Sequence, residues 1–156
     1  MSSVSGSAVL ECPPEQAWAL VADVTRMGEW SPDCESCEWI DGATGPDVGA
    51  RFTGHDKRRL LSRSTTCTVT ECEPGRVFAF VVGDAADPDS TWRYSFVPHV
   101  DGTMATETCE IPKPMSTGAK LAARLTHPGG DREADVQAGI DATLAKLQVA
   151  ARAASL

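Results

Sequence analysis

The middle of the chain alternates between apolar and polar residues. Stretches with this period of two are separated by turn-forming residues such as Glu73-Pro74-Gly75, Asp87-Pro88-Asp89 and Asp101-Gly102. Alternation of this kind is typical of antiparallel strands that bury one face. It predicts a first strand at Val4–Cys12 and six further strands at residues 34–41, 49–56, 62–73, 76–83, 90–98 and 103–111.

The C-terminal section has a different period. Apolar residues there are spaced by three and four positions, which places them on one face of an amphipathic helix. They are Val136, Ile140, Leu144, Leu147 and Ala151. Gly139 lies within this helix, and we expect it to let the helix approach the sheet closely, at a propensity cost of about 1 kcal/mol.

Shorter helices are predicted on both sides of the six central strands. Pro13-Pro14-Glu15 suits a helix start, because proline is tolerated in the first turn and an acid complements the dipole there. Asp23 can cap a second short helix that ends at Trp30-Ser31-Pro32. Another helical segment is expected at Met115–Thr126. His127–Gly130 must interrupt the helical pattern after it, since proline and paired glycines break helices.

Composition and charge exclude several classes of function. The 156 residues suffice for one domain with a sizeable core. The formal net charge of -8 argues against nucleic acid or an anionic membrane surface as a partner, because both need a basic face. The basic cluster Lys57-Arg58-Arg59 with Arg63 is expected in a solvated hairpin loop. No apolar run approaches the ~18 residues of a membrane span, so we expect no stable membrane insertion. No secretory signal is evident, so we expect a cytoplasmic protein. We expect it to be a monomer or a homodimer.

The six cysteines are expected to be free thiols, because a reducing compartment keeps them unpaired. Cys34 and Cys37 form a C-x-x-C pair between two tryptophans. A structural zinc site normally needs four ligands, and no second such pair or paired-histidine motif completes this one. The pair also begins a strand, whereas a thioredoxin-type motif opens a helix. We therefore predict no metal site, and a structural role for both thiols.

The order of predicted elements resembles that of the START-related superfamily, which includes pollen-allergen-like proteins and polyketide cyclase/dehydrase-type (SRPBCC) proteins. The residues that carry the resemblance are Pro13–Trp18, Asp23–Pro32, Val48–Phe52, Glu73–Arg76, Asp101–Thr103 and Thr143–Leu144 with Leu147. It covers nearly the whole chain and implies a single START-like domain over residues 1–156. The implied fold is the α+β helix-grip fold, in which a seven-stranded antiparallel sheet wraps around the C-terminal helix. Two short helices follow the first strand, and Pro128–Gly130 departs from the family's usual continuous helix.

The same resemblance implies a cavity between the sheet and the C-terminal helix, and a function in it. The preferred hypothesis is binding of a small hydrophobic molecule, such as a lipid, polyketide or isoprenoid, without a cofactor. The alternative is a polyketide cyclase/dehydratase-like enzyme that uses the same cavity. The residues contain no G-x-S-x-G motif and no phosphate-binding glycine loop. His55, His99 and His127 have no nucleophile beside them in sequence, so whether a reaction is catalysed stays open.

Alternation within the strands selects the candidate ligand-binding residues, since every second side chain shares a face. They are Phe52, Cys67, Val69, Phe78, Phe80, Trp92, Tyr94, Phe96, Ala105 and Glu107. The competing interpretation is that these side chains simply fill a core.

Glu107 is the polar member of this set. It shares its face with Ala105 and Cys109, the more apolar side of the last strand, so we expect it to point inward. A turn through His99–Gly102 would place Tyr94 directly opposite it. The two residues are then candidates for orienting a ligand oxygen, or for general acid and base catalysis if the protein is an enzyme. A register shifted by one residue would instead pair Glu107 with Arg93 on the exposed face.

Overall fold

The predicted strands form one antiparallel sheet in the computed structural model, which describes residues 2–56, 64–111 and 132–154. The strands are β1 (Ser2–Leu10), β2 (Cys34–Ile40), β3 (Arg51–Asp56), β4 (Ser64–Glu73), β5 (Val77–Asp84), β6 (Asp87–His99) and β7 (Gly102–Ile111). Their spatial order is β1-β7-β6-β5-β4-β3-β2. Strands β2 to β7 therefore form a meander, and β1 pairs with the last strand of that meander.

Two short helices connect β1 to β2, as predicted. Helix α1 spans Pro14–Ala22 and has its proline at the start, where the missing N–H is not needed. A 3-10 helix follows at Val24–Glu29, and the Asp23 side chain accepts a hydrogen bond from the backbone N–H of Thr25. This contact caps the helix in the way that aspartate does at helix starts.

The C-terminal helix α2 spans Arg132–Ala154 and packs mainly against β1. Its buried residues are Ile140, Thr143, Leu144, Leu147 and Ala151, and Val136 is partly buried. Two glutamines also attach the helix to β1, since Gln137 donates to the carbonyl of Ser5 and Gln148 to that of Val9. The predicted helix at Met115–Thr126, the break at His127–Gly130 and the basic cluster lie outside the described residues.

Gly6 on β1 is the glycine that allows α2 to pack closely against the sheet. A Cβ atom there would lie 2.9 Å from Cγ2 of Ile140 and 3.3 Å from Cδ1 of Leu144. At Gly139 the nearest atom to an added Cβ is Oδ2 of Asp33 at 3.5 Å, an ordinary contact distance. The expectation for Gly139 is therefore wrong, because a side chain there would meet Asp33, just before β2, without crowding.

The hairpin between β5 and β6 also differs from the sequence prediction. The turn lies at Ala85-Ala86, and Asp87-Pro88-Asp89 belongs to β6. The side chain of Asp84 accepts a hydrogen bond of 2.9 Å from the backbone N–H of Ala86, which supports this earlier turn. Pro88 is accommodated opposite Gly83, next to a register irregularity where ladder bonds are interrupted.

The arrangement is the expected α+β helix-grip fold, in which α2 packs against β1 and β7 of the seven-stranded sheet. None of the helices described in the structure has the length and hydropathy needed to cross a membrane.

Candidate functional site

Strand register brings the candidate ligand-binding residues onto one face of the sheet. Across the strands, Glu107 lies opposite Tyr94, and Tyr94 lies opposite Phe78. A parallel row places Trp92 opposite Phe80. All ten candidates are buried except Trp92, which is partly buried. The sheet therefore gathers residues from five strands, β3 to β7, into one inward-facing surface.

Aromatic rings occupy one part of this surface. Phe52 and Phe80 meet edge to face with ring centroids 5.1 Å apart, and Trp39 meets Phe52 in the same way at 5.7 Å. The Phe78 and Phe80 rings are 6.0 Å apart. Edge-to-face contacts of this kind add roughly 0.5–1.5 kcal/mol each to the burial of the rings. These side chains thus pack against one another across strands β2, β3 and β5.

Glu107 and Tyr94 form a buried hydrogen-bonded pair. The Tyr94 hydroxyl donates to Oε1 of Glu107 at 2.7 Å, and the side chains belong to residues only 6% and 2% exposed. The register is the predicted one, and Arg93 is opposite Thr108 instead. The second carboxyl oxygen, Oε2 of Glu107, is buried and has no hydrogen-bond partner among the residues that the structure describes. A buried polar atom without a partner costs ~1–3 kcal/mol, so this oxygen is an exception to normal packing.

Burial changes the protonation of this pair. Loss of water raises the pKa of Glu107 to about 8, although the hydrogen bond from Tyr94 opposes the rise by stabilising the carboxylate. Burial and the adjacent carboxyl raise the pKa of Tyr94 well above its usual value. At neutral pH the pair is therefore mainly an uncharged carboxylic acid beside an uncharged phenol. Since Oε1 accepts from Tyr94, the acid proton resides on Oε2, where it is available to another acceptor.

Gly6 and Cys109 complete the surroundings of Glu107, and both were missed as site residues. Gly6 lies directly opposite Glu107 on β1, so β1 itself places no side chain beside the carboxyl. Ile140 and Leu144 of α2 approach Gly6 closely instead. An isolated glycine within a strand often marks a close backbone approach, and this signal was present in the sequence. Cys109 is buried two residues further along β7, on the same face.

The C-x-x-C pair has the geometry of two packed thiols. The sulfur atoms of Cys34 and Cys37 are 3.3 Å apart, both residues are buried, and both are free cysteines. Their mutual hydrogen bond and burial raise the pKa of Cys37, which disfavours the thiolate that metal binding or thiol exchange requires. No group of three potential metal ligands occurs within the described ranges. The two residues therefore pack as buried thiols, and their structural role stays a prediction.

A second polar group, on the outer face, was not predicted. His55 contacts Oγ of Ser64 through Nδ1 at 2.8 Å and Oε1 of Glu38 through Nε2 at 3.3 Å. Serine, imidazole and carboxylate in this order resemble a hydrolase triad, which only tertiary contacts could reveal. The histidine side chain is 37% exposed and that of Glu38 is 67% exposed. Solvent therefore screens the group, and we interpret it as a surface network worth less than about 1 kcal/mol.

An open groove of about 770 Å³ lies at one end of the sheet. It is lined mainly by residues from Glu71 to Val77 and from Arg93 to Pro98. Glu71 and Arg93 form a half-exposed ion pair of 2.9 Å there. Phe96 is the one candidate ligand-binding residue that borders the groove. This solvent-facing groove does not coincide with the surface around Glu107.

Comparisons with known proteins add relatives of two kinds. A family model described as polyketide cyclase / dehydrase and lipid transport matches residues 1–151. The solution NMR structure of a Polyketide_cyc-like protein from Corynebacterium glutamicum is 34% identical, and the match covers 94% of this chain and 88% of that chain at a TM-score of 0.62. No curated protein sequence matches the chain.

More distant structures share the fold alone. The Zhui aromatase/cyclase from a Streptomyces species is 16% identical, with 97% of this chain and 93% of that chain covered at a TM-score of 0.73. A crystallised protein from Mesorhizobium loti is 18% identical, with 95% of each chain covered at a TM-score of 0.66. In both comparisons the likeness extends over almost the full length of the two chains.

Proposed function

Since the chain belongs to the polyketide cyclase/dehydrase and lipid transport family, we propose that it binds a small hydrophobic molecule between the sheet and α2, with Glu107 and Tyr94 at the polar end of the site. The observation that carries the proposal is the Oε2 atom of Glu107, which is buried without a partner among the described residues. A buried oxygen without a partner lowers the stability of the folded protein, whereas a ligand oxygen can supply the missing hydrogen bond.

The apolar side chains around this pair support the hydrophobic part of the proposal. Phe78 and Trp92 flank Tyr94 on the same face, and Cys109 and Ala105 flank Glu107. Burying ~400 Å² of apolar ligand surface at ~25 cal/mol/Å² corresponds to roughly 10 kcal/mol. Association costs of at least ~4 kcal/mol leave an affinity in the micromolar to millimolar range, which suffices for a carrier.

An enzyme of the cyclase/dehydratase kind is the second candidate function. It is favoured by the burial of the Glu107 carboxyl, which raises its pKa to about 8, because a general acid works best when its pKa is close to the operating pH. In this role Glu107 would protonate a leaving hydroxyl or an enolate oxygen of the bound molecule, and Tyr94 would position its carboxyl group. Both candidates use the same site and the same orientation of the acid.

Native mass spectrometry of freshly purified protein, followed by displacement of a hydrophobic dye, tests the proposal. We expect a co-purified molecule or saturable dye binding that the Glu107→Leu variant alters. The Glu110→Gln variant is the matched control, because Glu110 is exposed on the same strand and on the other face. If neither a molecule nor the dye binds under any condition, both functions are wrong and an interaction module becomes the better interpretation.

A further inference from the structure

We propose that Glu107 makes the site selective for ligands with an uncharged acceptor oxygen, such as a ketone or ester carbonyl, to which its Oε2 hydroxyl donates. This inference rests on the proposed function, and adds to it the chemical class of the group that is recognised. It follows from Oε2 of Glu107, which has no partner among the described residues, and from the groups around it.

The hydrogen-bond inventory of the pair defines what the ligand must offer. Tyr94 has one hydroxyl proton, and that proton is directed to Oε1 of Glu107. The protonated acid then has one donor left, on Oε2, and no described residue accepts from it. A carbonyl oxygen matches this donor, whereas a hydrocarbon leaves it unpaired and an ammonium group presents only further donors.

The neighbouring strands add no charge that would ionise this acid. On β6 and β7 the titratable neighbours are Tyr94 and Cys109, and burial raises the pKa of both, that of Cys109 to about 12. On β1 the opposite residue is Gly6, which has no side chain. Glu107 therefore lies between neutral groups along the sheet.

Helix α2 contributes two charged residues, Asp141 and Arg132, to the region around the neighbours of Glu107. Asp141 lies beside Gly6, where its Oδ1 is 3.3 Å from a Cβ built on the glycine, and it accepts a hydrogen bond from Gln137. Arg132 acts on Cys109, where its positive charge opposes the rise in pKa that burial causes. Neither group is among the influences on Glu107, which are burial and the hydrogen bond from Tyr94.

Selectivity should therefore disappear when Glu107 ionises. A carboxylate has no proton to donate, and its negative charge repels the partial negative charge of a carbonyl oxygen. Because the pKa of Glu107 is about 8, roughly a tenth of the protein keeps the donor at pH 9. The apparent affinity for a carbonyl ligand should therefore fall about 4-fold between pH 6 and pH 9 if only the hydrogen bond is lost, and about tenfold if the ionised form binds no ketone.

Three probes with one ring system test the inference: acetylnaphthalene, ethylnaphthalene and naphthylethylamine, titrated into the full chain at pH 6 and pH 9 by ligand-observed NMR. At pH 6 the ketone should bind about 5–10-fold more tightly than the hydrocarbon, as expected for one net hydrogen bond. The ammonium form of the amine should bind at least ~10-fold more weakly than the ketone.

Two variants of Glu107 separate the donor from the packing. Glu107→Leu should abolish the preference for the ketone over ethylnaphthalene, since it removes the donor from an apolar surface. Glu107→Gln keeps an N–H donor near the position of Oε2 and cannot ionise, so it should prefer the ketone equally at both pH values. This second variant keeps the inference testable if the first fails to fold.

The outcomes distinguish the inference from the function beneath it. If the ketone and the hydrocarbon bind equally to the wild type, or if Glu107→Leu retains the preference, the inference is wrong and hydrophobic binding stands. If none of the three probes binds and the hydrophobic dye is not bound either, the proposed function is wrong as well.

Discussion

Replacing Glu107 by glutamine should stabilise the protein at neutral and alkaline pH, and the size of the effect should depend on pH. In the unfolded chain a glutamate loses its proton near pH 4.5, whereas burial raises the pKa of Glu107 in the folded state to about 8. Between these values the folded state holds one more proton than the unfolded state. The free energy of unfolding of the wild type must then fall as pH rises through this range.

The pKa values determine the magnitude. Each pH unit between 4.5 and 8 costs the wild type about 1.4 kcal/mol relative to a side chain that cannot ionise. The variant should therefore gain roughly 3 kcal/mol over the wild type at pH 7, and roughly 5 kcal/mol at pH 9, with the difference smallest near pH 4.5. Glutamine has the same size and can still accept from Tyr94, so packing changes little.

Urea denaturation of both proteins at intervals from pH 4.5 to pH 9 measures this difference directly. Other carboxyl groups cancel in the comparison because both proteins contain them. The Glu110→Gln variant, on the exposed face of the same strand, should show a difference within about 0.5 kcal/mol at all pH values. A constant difference between Glu107→Gln and the wild type across the series would refute the assignment of Glu107 as a buried neutral acid.

Three further predictions concern neighbouring features. Tyr94→Phe removes a hydrogen bond that favours the carboxylate, so the pKa of Glu107 should rise further, and an unchanged or lower value in an NMR titration would contradict the assigned pair. Changing Cys34 and Cys37 together to serine should leave dye binding intact, whereas stoichiometric zinc in the wild type, lost in the double variant, would show that the structural interpretation is wrong. Gly6→Ala should lower the free energy of unfolding by ~1–3 kcal/mol, because its Cβ would lie 2.9 Å from Ile140. Gly139→Ala, whose Cβ would lie 3.5 Å from Asp33, should instead be neutral or stabilise by up to ~1 kcal/mol in chemical denaturation, and equal effects at both glycines would contradict the described packing.

Local patterns in the sequence determined most of the architecture. The period of two predicted the strands, the spacing of three and four predicted α2, and proline with aspartate predicted the short helices. The pairing of Tyr94 with Glu107 followed from one turn, because a hairpin fixes the register of its two strands. The inward direction of Glu107 then followed from alternation alone.

Contacts between distant parts of the chain decided the rest. Gly6 and Gly139 are equally plain in the sequence, and only the packing of α2 on β1 shows that Gly6 is the one in the contact. The position of the turn at Ala85-Ala86 depends on how β5 and β6 pair. The local sequence predicted the turn around Pro88 instead, because proline and aspartate favour turns.

The chemical character of Glu107 is the clearest case of a property that only the tertiary structure decided. Its raised pKa results from removal of water by several elements at once, and no side chain among the described residues, from β1 or from any other element, pairs with its second oxygen. Desolvation and hydrogen-bond satisfaction are sums over all neighbours in space. A pattern along the chain identifies which face a residue is on, but the neighbours that set its charge come from strands and a helix that meet only in the folded protein.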